Sequence, residues 1–249
     1  MVTLKRVVIL GATKGMGRAL ARKMAARGDR IFLLGRNEED LQASAADLEA
    51  RAVGVTTGYA HCDLDRIETF TPALDQADAA LGGIDVVVVT AAQFATQDAL
   101  EADIELTRRL LSTNFTNTVV FCELARSRLM ARGGGTLCVF SSVAGERGRK
   151  PVILYGASKA GLTRYLEGLD HKYRSQGLIT VCVKPGFVRT SMTAGLSSPP
   201  FASDPEPVAE RVLRAVDRGQ PVIYVPAIWF AIMIVIRSLP RFVMRRIGF

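Results

Sequence analysis

Seven short apolar runs, rich in β-branched residues, punctuate this chain: Arg6–Leu10, Arg30–Leu34, Gly54–Ala60, Asp85–Val89, Thr136–Ser141, Ile179–Val183 and Val222–Val225. Longer amphipathic stretches lie between them, among them Arg18–Arg27, Glu38–Arg51, Ile67–Leu81, Glu101–Arg132 and Val152–Arg174. A strand that is apolar on both faces must be covered on both, and strands alternating with helices become parallel neighbours joined by crossovers. The handedness of such crossovers leaves one natural solution, an α/β fold with a doubly wound, seven-stranded parallel sheet and helices on both faces. Gly28 and Gly177 follow helical patterns rich in Arg and Lys, as C-terminal caps do. The pattern predicts one domain over residues 1–225 and a separate tail over 226–249. Ser197–Pro207, with four prolines, is the longest irregular segment and is expected to be a functional loop.

The first strand runs straight into Gly11-Ala-Thr-Lys-Gly15-Met-Gly17, and a helix follows at once. Glycines at a strand-to-helix turn let the backbone approach a pyrophosphate closely. The helix N-terminus then offers it free N–H groups and a positive dipole end. Gly11, Thr13, Lys14, Gly15, Met16 and Gly17 are therefore the candidate cradle of a dinucleotide, in the strand–turn–helix context that gives such a motif weight. This makes the fold Rossmann-type. The second strand ends at Leu34-Gly35-Arg36, where an NAD enzyme ordinarily carries an acid for the ribose 2′-hydroxyl. Here Gly35 makes room, Arg36 can fork onto a 2′-phosphate, and Lys14 adds a second cation. The expected cofactor is NADP(H) rather than NAD(H).

Tyr155-Gly-Ala-Ser-Lys159 opens a helical pattern, and an i, i+4 spacing puts Tyr155 and Lys159 on one helix face. A free phenol has a pKa near ~10, and a neighbouring ammonium or a cationic nicotinamide is expected to lower it. Such a pair suits proton transfer to or from a carbonyl oxygen.

With the glycine turn and this pair in place, the sequence resembles the short-chain dehydrogenase/reductase family over residues 5–225. The resemblance implies hydride transfer between a nicotinamide cofactor and a carbonyl or alcohol, with Tyr155 as general acid/base and Lys159 tuning it and anchoring the nicotinamide ribose. It also implies that Asp63 contacts the adenine and that Thr90-Ala91-Ala92 lines the cofactor, where most members carry Asn-Asn-Ala-Gly from the position of Val89. Asn114 matches the family's helix asparagine in a proton relay with Lys159. Pro185, Gly186 and Thr190 match the segment that brackets the nicotinamide. The family's serine, which holds the substrate oxygen, falls at Ser142 rather than Ser141, because successive strand residues point to opposite faces. Two blocks, Ser141–Lys159 and Tyr224–Arg241, look most like the bacterial decaprenylphosphoryl-2-keto-ribose reductases within that family, which complete the epimerisation of a lipid-linked sugar.

Arg147, Arg149 and Lys150 place three cations in four residues beside the expected crevice. They are either a solvated loop or a site for an anionic substrate group. The net charge of +8 is concentrated in the tail: Arg211–Phe249 holds seven arginines against Asp217 alone. Pro221–Ile236 carries no charge, and Pro226 divides it into a last strand and an apolar helix over Ala227–Ser238, too short to span a bilayer. Such a helix must be covered. It is either a subunit interface of a homo-oligomer or an interfacial anchor with its arginines on lipid phosphates. No leader pattern opens the chain, which places it in the cytoplasm, at the inner face of the membrane if the tail docks there.

Several classes are excluded. No C-x-x-C pair occurs, and the two histidines lie far apart, so neither a metal site nor a redox dithiol is expected. Cys138 and Cys182 sit in apolar runs as buried thiols. No basic stripe interleaves with aromatics, which argues against nucleic acid. The expected partner is a carbonyl substrate, small or lipid-linked and with an anionic group if the loop cations bind it. A soluble reductase of a small ketone or 3-oxoacyl group, and a non-catalytic NADP(H)-binding protein, are the alternatives.

Overall fold

The computed structural model describes residues 4–52, 57–196 and 199–248. Seven parallel strands form one sheet in the order β3-β2-β1-β4-β5-β6-β7. They are β1 (Arg6–Leu10), β2 (Arg30–Gly35), β3 (Thr57–His61), β4 (Val86–Val89), β5 (Gly135–Phe140), β6 (Leu178–Pro185) and β7 (Val222–Val225). The expected third run began at Gly54, and its residues 54–56 lie outside the described part of the chain.

Strand alternation sorts the core into two layers. Val7 and Ile9 of β1 pack with Leu20 and Met24 of α1 (Gly15–Arg27), Leu41 and Leu48 of α2 (Glu38–Arg51), and Val208 and Val212 of α8 (Pro205–Arg218). Val8 and Leu10 point the other way. They meet Phe70 and Leu74 of α3 (Phe70–Leu81), Phe121 and Leu129 of α6 (Thr118–Ala131), and Leu162 and Leu166 of α7 (Ile153–Tyr173). Burying each such side chain contributes roughly 1.5–3 kcal/mol, which is why both faces of every strand read as apolar. All four cysteines are buried and free within this core and its rim.

Two segments depart from expectation. The stretch Glu101–Arg132, one helical pattern in sequence, is divided into the end of α4 (Gln97–Ala102), α5 (Ile104–Leu111), a π-helical turn at Ser112–Asn117, and α6. Asp103 causes the first break by capping α5, its carboxylate accepting from the Glu105 and Leu106 amides at 2.9 and 3.0 Å. Thr118 accommodates the second by donating to the Thr113 carbonyl at 2.7 Å. The proline-rich segment is also shorter than predicted, because Pro205 occupies the first turn of α8, where its missing N–H costs nothing. Its described residues Pro199–Asp204 are tied down: Ser203 bridges Val188, and Arg189 forks onto Asp204 at 2.8 Å through two nitrogens.

The strand order reverses between β1 and β4, whose ends are level at Leu10 and Val89. Loops leaving the carboxyl ends of these strands splay apart there, which opens a crevice. The chain closes with α9 (Ile228–Ser238) and α10 (Arg241–Arg246). Met233 and Ile236 of α9 join Tyr224 of β7 and Val143 in a small third cluster, with Trp229, Ile232 and Met244 packed against it. Among the described residues no helix is long and apolar enough to cross a membrane.

Candidate active site

A cleft of about 310 Å³ opens at the strand-order reversal. Its lining includes Gly11, Thr13, Lys14, Gly15, Met16, Gly17, Arg36, Asp63, Ala91 and Thr190. The glycines are there for contact. A Cβ on Gly17 would lie 2.2 Å from the Gly11 carbonyl oxygen, and one on Gly11 would lie 2.6 Å from the Ala91 nitrogen. Gly11 also has φ +95, which a side chain rarely tolerates. Thr90, which sequence reasoning placed only within a turn, locks this junction: its hydroxyl lies 2.9 Å from the Gly11 carbonyl and donates to it. Lys14 precedes α1 in extended geometry with no side-chain cap, so the first amides of the helix face the cleft without a partner from that side chain. This cradle fits a dinucleotide pyrophosphate.

At the end of β2, Arg36 is exposed on the cleft and no acid stands beside Gly35. Lys14 is less available than expected, since its ammonium pairs with Asp40 at 2.9 Å. Asp63, just after β3, lines the same cleft and accepts from the Asp65 amide at 3.0 Å. Pro185 and Gly186 do not line this cleft. They face the neighbouring cavity, because β6 runs one strand further from the reversal.

That cavity, about 780 Å³, meets the cleft at Met16, Thr190 and Met192. Ser142 and Tyr155 stand on its wall. Their approach is set by backbone packing. Ser142 caps a short 3₁₀ turn at Val143–Gly145, its Oγ accepting from the Ala144 amide at 3.1 Å. Helix α7 lies directly on that turn: a Cβ on Gly156 would be 2.8 Å from the Ala144 oxygen, and one on Gly145 would be 2.7 Å from the Lys159 carbonyl carbon. This packing sets the Ser142 and Tyr155 side chains on one wall of the cavity, where Ser142 favours the ionised phenol. Phe94 meets the Tyr155 ring edge-on at 5.2 Å. Ser141 faces away, its hydroxyl donating to the Lys159 carbonyl at 2.9 Å.

Lys159 is buried one turn on, its ammonium 5.8 Å from the Tyr155 ring centre and donating to the Phe140 carbonyl at 2.9 Å. Burial pulls its pKa down to about 8. Burial likewise pushes Tyr155 up to about 12, against the opposing influence of Ser142. The expected depression of the phenol is therefore not produced by this chain's own residues. Desolvation outweighs the influence of Ser142 and favours the neutral phenol. Asn114 sits in the π-helical turn, fully buried, accepting from the Gln93 amide at 2.7 Å and donating to its carbonyl at 2.8 Å. These bonds fix the loop after β4 to the site; no hydrogen bond among the described residues joins Asn114 to Lys159.

The loop cations divide their roles. Arg147 donates to the Leu239 carbonyl at 2.8 Å and Lys150 to the Arg245 carbonyl at 2.7 Å, so both fasten the ends of the tail helices. Arg149 lines the cavity, where burial lowers its pKa. Beside them Glu146 is buried against Lys184 at 2.6 Å, accepts from the Tyr224 hydroxyl at 3.0 Å, and reaches Arg237 of α9 at 3.2 Å. Burial alone would raise Glu146, but the adjacent Lys184 outweighs it and the carboxyl is held below its usual range. Trp229 of α9 completes the cavity roof, its indole pressed so closely on Gly186 that an added Cβ would lie 2.0 Å from Nε1. Neither the Glu146 network nor Trp229 left a local signal in sequence, since both depend on where the tail folds back.

The family model for short chain dehydrogenases matches residues 5–200. The chain belongs to the short-chain dehydrogenase/reductase family. It is an NAD(P)-dependent oxidoreductase, as the members of that family are. An uncharacterized oxidoreductase of Mycobacterium tuberculosis is 33% identical over 240 residues, covering 96% of each chain. One from Myxococcus xanthus is 32% identical over 89% of this chain and 87% of its own length. Carbonyl reductase family member 4 of Xenopus tropicalis is 28% identical over 84% and 89%. The fold matches a short-chain type dehydrogenase/reductase from Mycobacterium marinum with TM-score 0.81, at 24% identity over 88% of this chain and 93% of that one.

Proposed function

We propose that this short-chain dehydrogenase/reductase is an NADP(H)-dependent carbonyl reductase, with Tyr155 as proton donor and a lipidic, anionic carbonyl compound such as a lipid-linked keto-sugar as substrate. The placement of Tyr155 and Ser142 on the wall of a large cavity, which meets the dinucleotide cleft at Met16, Thr190 and Met192, carries this reading. A nicotinamide dinucleotide held by Gly11, Gly15 and Gly17 in the cleft would supply the hydride. Ser142 orients the substrate oxygen toward the Tyr155 hydroxyl. Tyr155, neutral at physiological pH, gives its proton to that oxygen as negative charge develops there. The Lys159 ammonium, with its pKa near 8, stabilises the phenolate left behind until a proton from solvent restores the phenol. Asn114 keeps the loop after β4 in register through Gln93.

Two features support the choice of substrate. The cavity is lined mainly by apolar side chains, including Phe94, Val143, Phe187 and Leu196, and Arg149 is the half-buried cation within it. Arg36, exposed on the cleft directly after Gly35 at the end of β2, supports NADP(H). The name of the Xenopus relative, carbonyl reductase family member 4, agrees with carbonyl reduction.

Turnover of NADPH with a panel of aliphatic and phosphorylated ketones tests the reading. Tyr155→Phe is expected to keep NADPH binding and lose about 10³-fold in kcat, within the usual range for a general acid. Full activity in that variant removes Tyr155 from the mechanism.

A further inference from the structure

Helix α9 has two apolar faces, and the fold uses one. Met233 and Ile236 are buried inward with Trp229 and Ile232, whereas Ile228, Phe230, Ile234 and Val235 point outward and are 44–61% exposed. Phe242 of α10 is exposed beside them. Residues 226–249 contain Arg237, Arg241, Arg245 and Arg246 and no acidic residue. The pair of helices cannot turn this face inward, because Arg147 and Lys150 hold the Leu239 and Arg245 carbonyls and Glu146 holds Arg237.

We infer that α9 and α10 form a docking surface for an anionic phospholipid bilayer, lying in the plane of its interface. An exposed apolar face on a segment that carries Arg241, Arg245 and Arg246 has the chemistry for this: the apolar side chains enter the acyl boundary and the guanidiniums take lipid phosphates. The charge decides the occupant. A twofold contact of α9 with a second copy would bring two sets of arginines together with no carboxylate in the segment to separate them. A phosphate surface neutralises the same set. With eleven residues, α9 is too short to cross and long enough to lie flat. Docking also sets Trp229, on the inner face of α9, between the bilayer and the substrate cavity, so a lipidic substrate would have a short path to Tyr155 if the carbonyl reductase reading holds.

The test is co-sedimentation of the full-length protein with vesicles of phosphatidylcholine alone and of phosphatidylcholine with phosphatidylglycerol. Binding is expected to the anionic vesicles and to weaken in high salt. Reversal of the outer charges in Arg241→Glu/Arg246→Glu is expected to lower vesicle affinity at least roughly tenfold. Ile234→Ser/Val235→Ser is expected to lower it as well. NADPH binding and the thermal midpoint, measured on each variant, are expected to match the parent, which separates lost docking from lost folding. The charge-reversed variant alters only exposed side chains and keeps the proposal falsifiable if the serine variant unfolds. Failure of the parent protein to bind anionic vesicles overturns the inference, as does equal binding by the charge-reversed variant. A parent dimer that Ile234→Ser/Val235→Ser dissociates, without vesicle binding by either, assigns the face to a second copy instead. Vesicle binding does not depend on turnover, so failure here leaves the carbonyl reductase reading standing, and the converse also holds.

Discussion

The dinucleotide cleft and the substrate cavity share Met16, Thr190 and Met192, yet they are built in opposite ways. The cleft is mostly backbone. Gly11 and Gly17 touch because neither has a Cβ, and the start of α1 lies open beside them. The cavity is mostly side chain, drawn from the loops after β4, β5 and β6 and roofed by Trp229 from the far end of the chain. A backbone cradle recognises a phosphate group that many enzymes have in common. A side-chain cavity closed by the end of the chain is where one member of a family can differ from the next. If this contrast holds, cleft variants change cofactor use, and cavity variants change carbonyl selectivity and tail stability.

The largest effect should come from Glu146→Gln. Lys184 is 7% exposed and would keep a buried charge without its counter-ion, at a cost of about 3 kcal/mol. Denaturant unfolding should show that loss, and the KM for a bulky carbonyl should rise while NADPH affinity holds. Unchanged stability would detach the tail from the site. Gly186→Ala forces the Trp229 indole away and should cost about 2 kcal/mol, as overpacking does. Trp229→Ala in the same chain should restore most of it, and a purely additive double variant would break the contact proposed here.

On the cofactor side, Arg36→Ala should lower the preference for NADPH over NADH about tenfold, the order expected for one lost charge-assisted contact. Its carbonyl profile should not change; if the preference persists, Arg36 does not read the 2′-phosphate. The smallest effect is the pH dependence set by Lys159. Its folded pKa of about 8 lies below the unfolded value, so between those values the unfolded chain binds more protons. The contribution of Lys159 to stability therefore rises with pH, by roughly 1 kcal/mol per unit from about pH 8 to 10. Subtracting the unfolding profile of Lys159→Met isolates this slope from the buried cysteines, whose raised pKa values act in the opposite direction above pH 9. A flat difference would mean that the ammonium is better solvated than its 2% exposure implies.

Much of this was legible in the chain. Six of the seven strand runs fall within a residue or two of the observed strands, because a strand buried on both faces has no choice but continuous apolarity. Tyr155, Lys159 and Ser142 were legible for a related reason: spacing on one helix and alternation at one strand end are local geometry. The continuous helix read across Asp103 and Ser112–Asn117 was not, since the turn that places Asn114 is held by contacts to Gln93 and Leu64, 21 and 53 residues away. The two-cation reading of Lys14 and Arg36 likewise missed Asp40, whose carboxylate reaches Lys14 only once α2 packs beside α1.

The sequence by itself determined the sheet, the glycine cradle and the juxtaposition of Tyr155 and Lys159, because each rests on periodicity or on residues a few positions apart. Tertiary structure decided the rest. It spent Arg147 and Lys150 on the tail, left Arg149 in the cavity, set Trp229 over Gly186 and buried Glu146 with Lys184. It also decided the ionisation of the site. Tyr155 next to Lys159 reads in sequence as an acidified phenol, but burial acts on both groups at once, raising one and lowering the other toward their neutral forms. Desolvation depends on how densely the whole chain packs around a group, and no spacing along the chain encodes that.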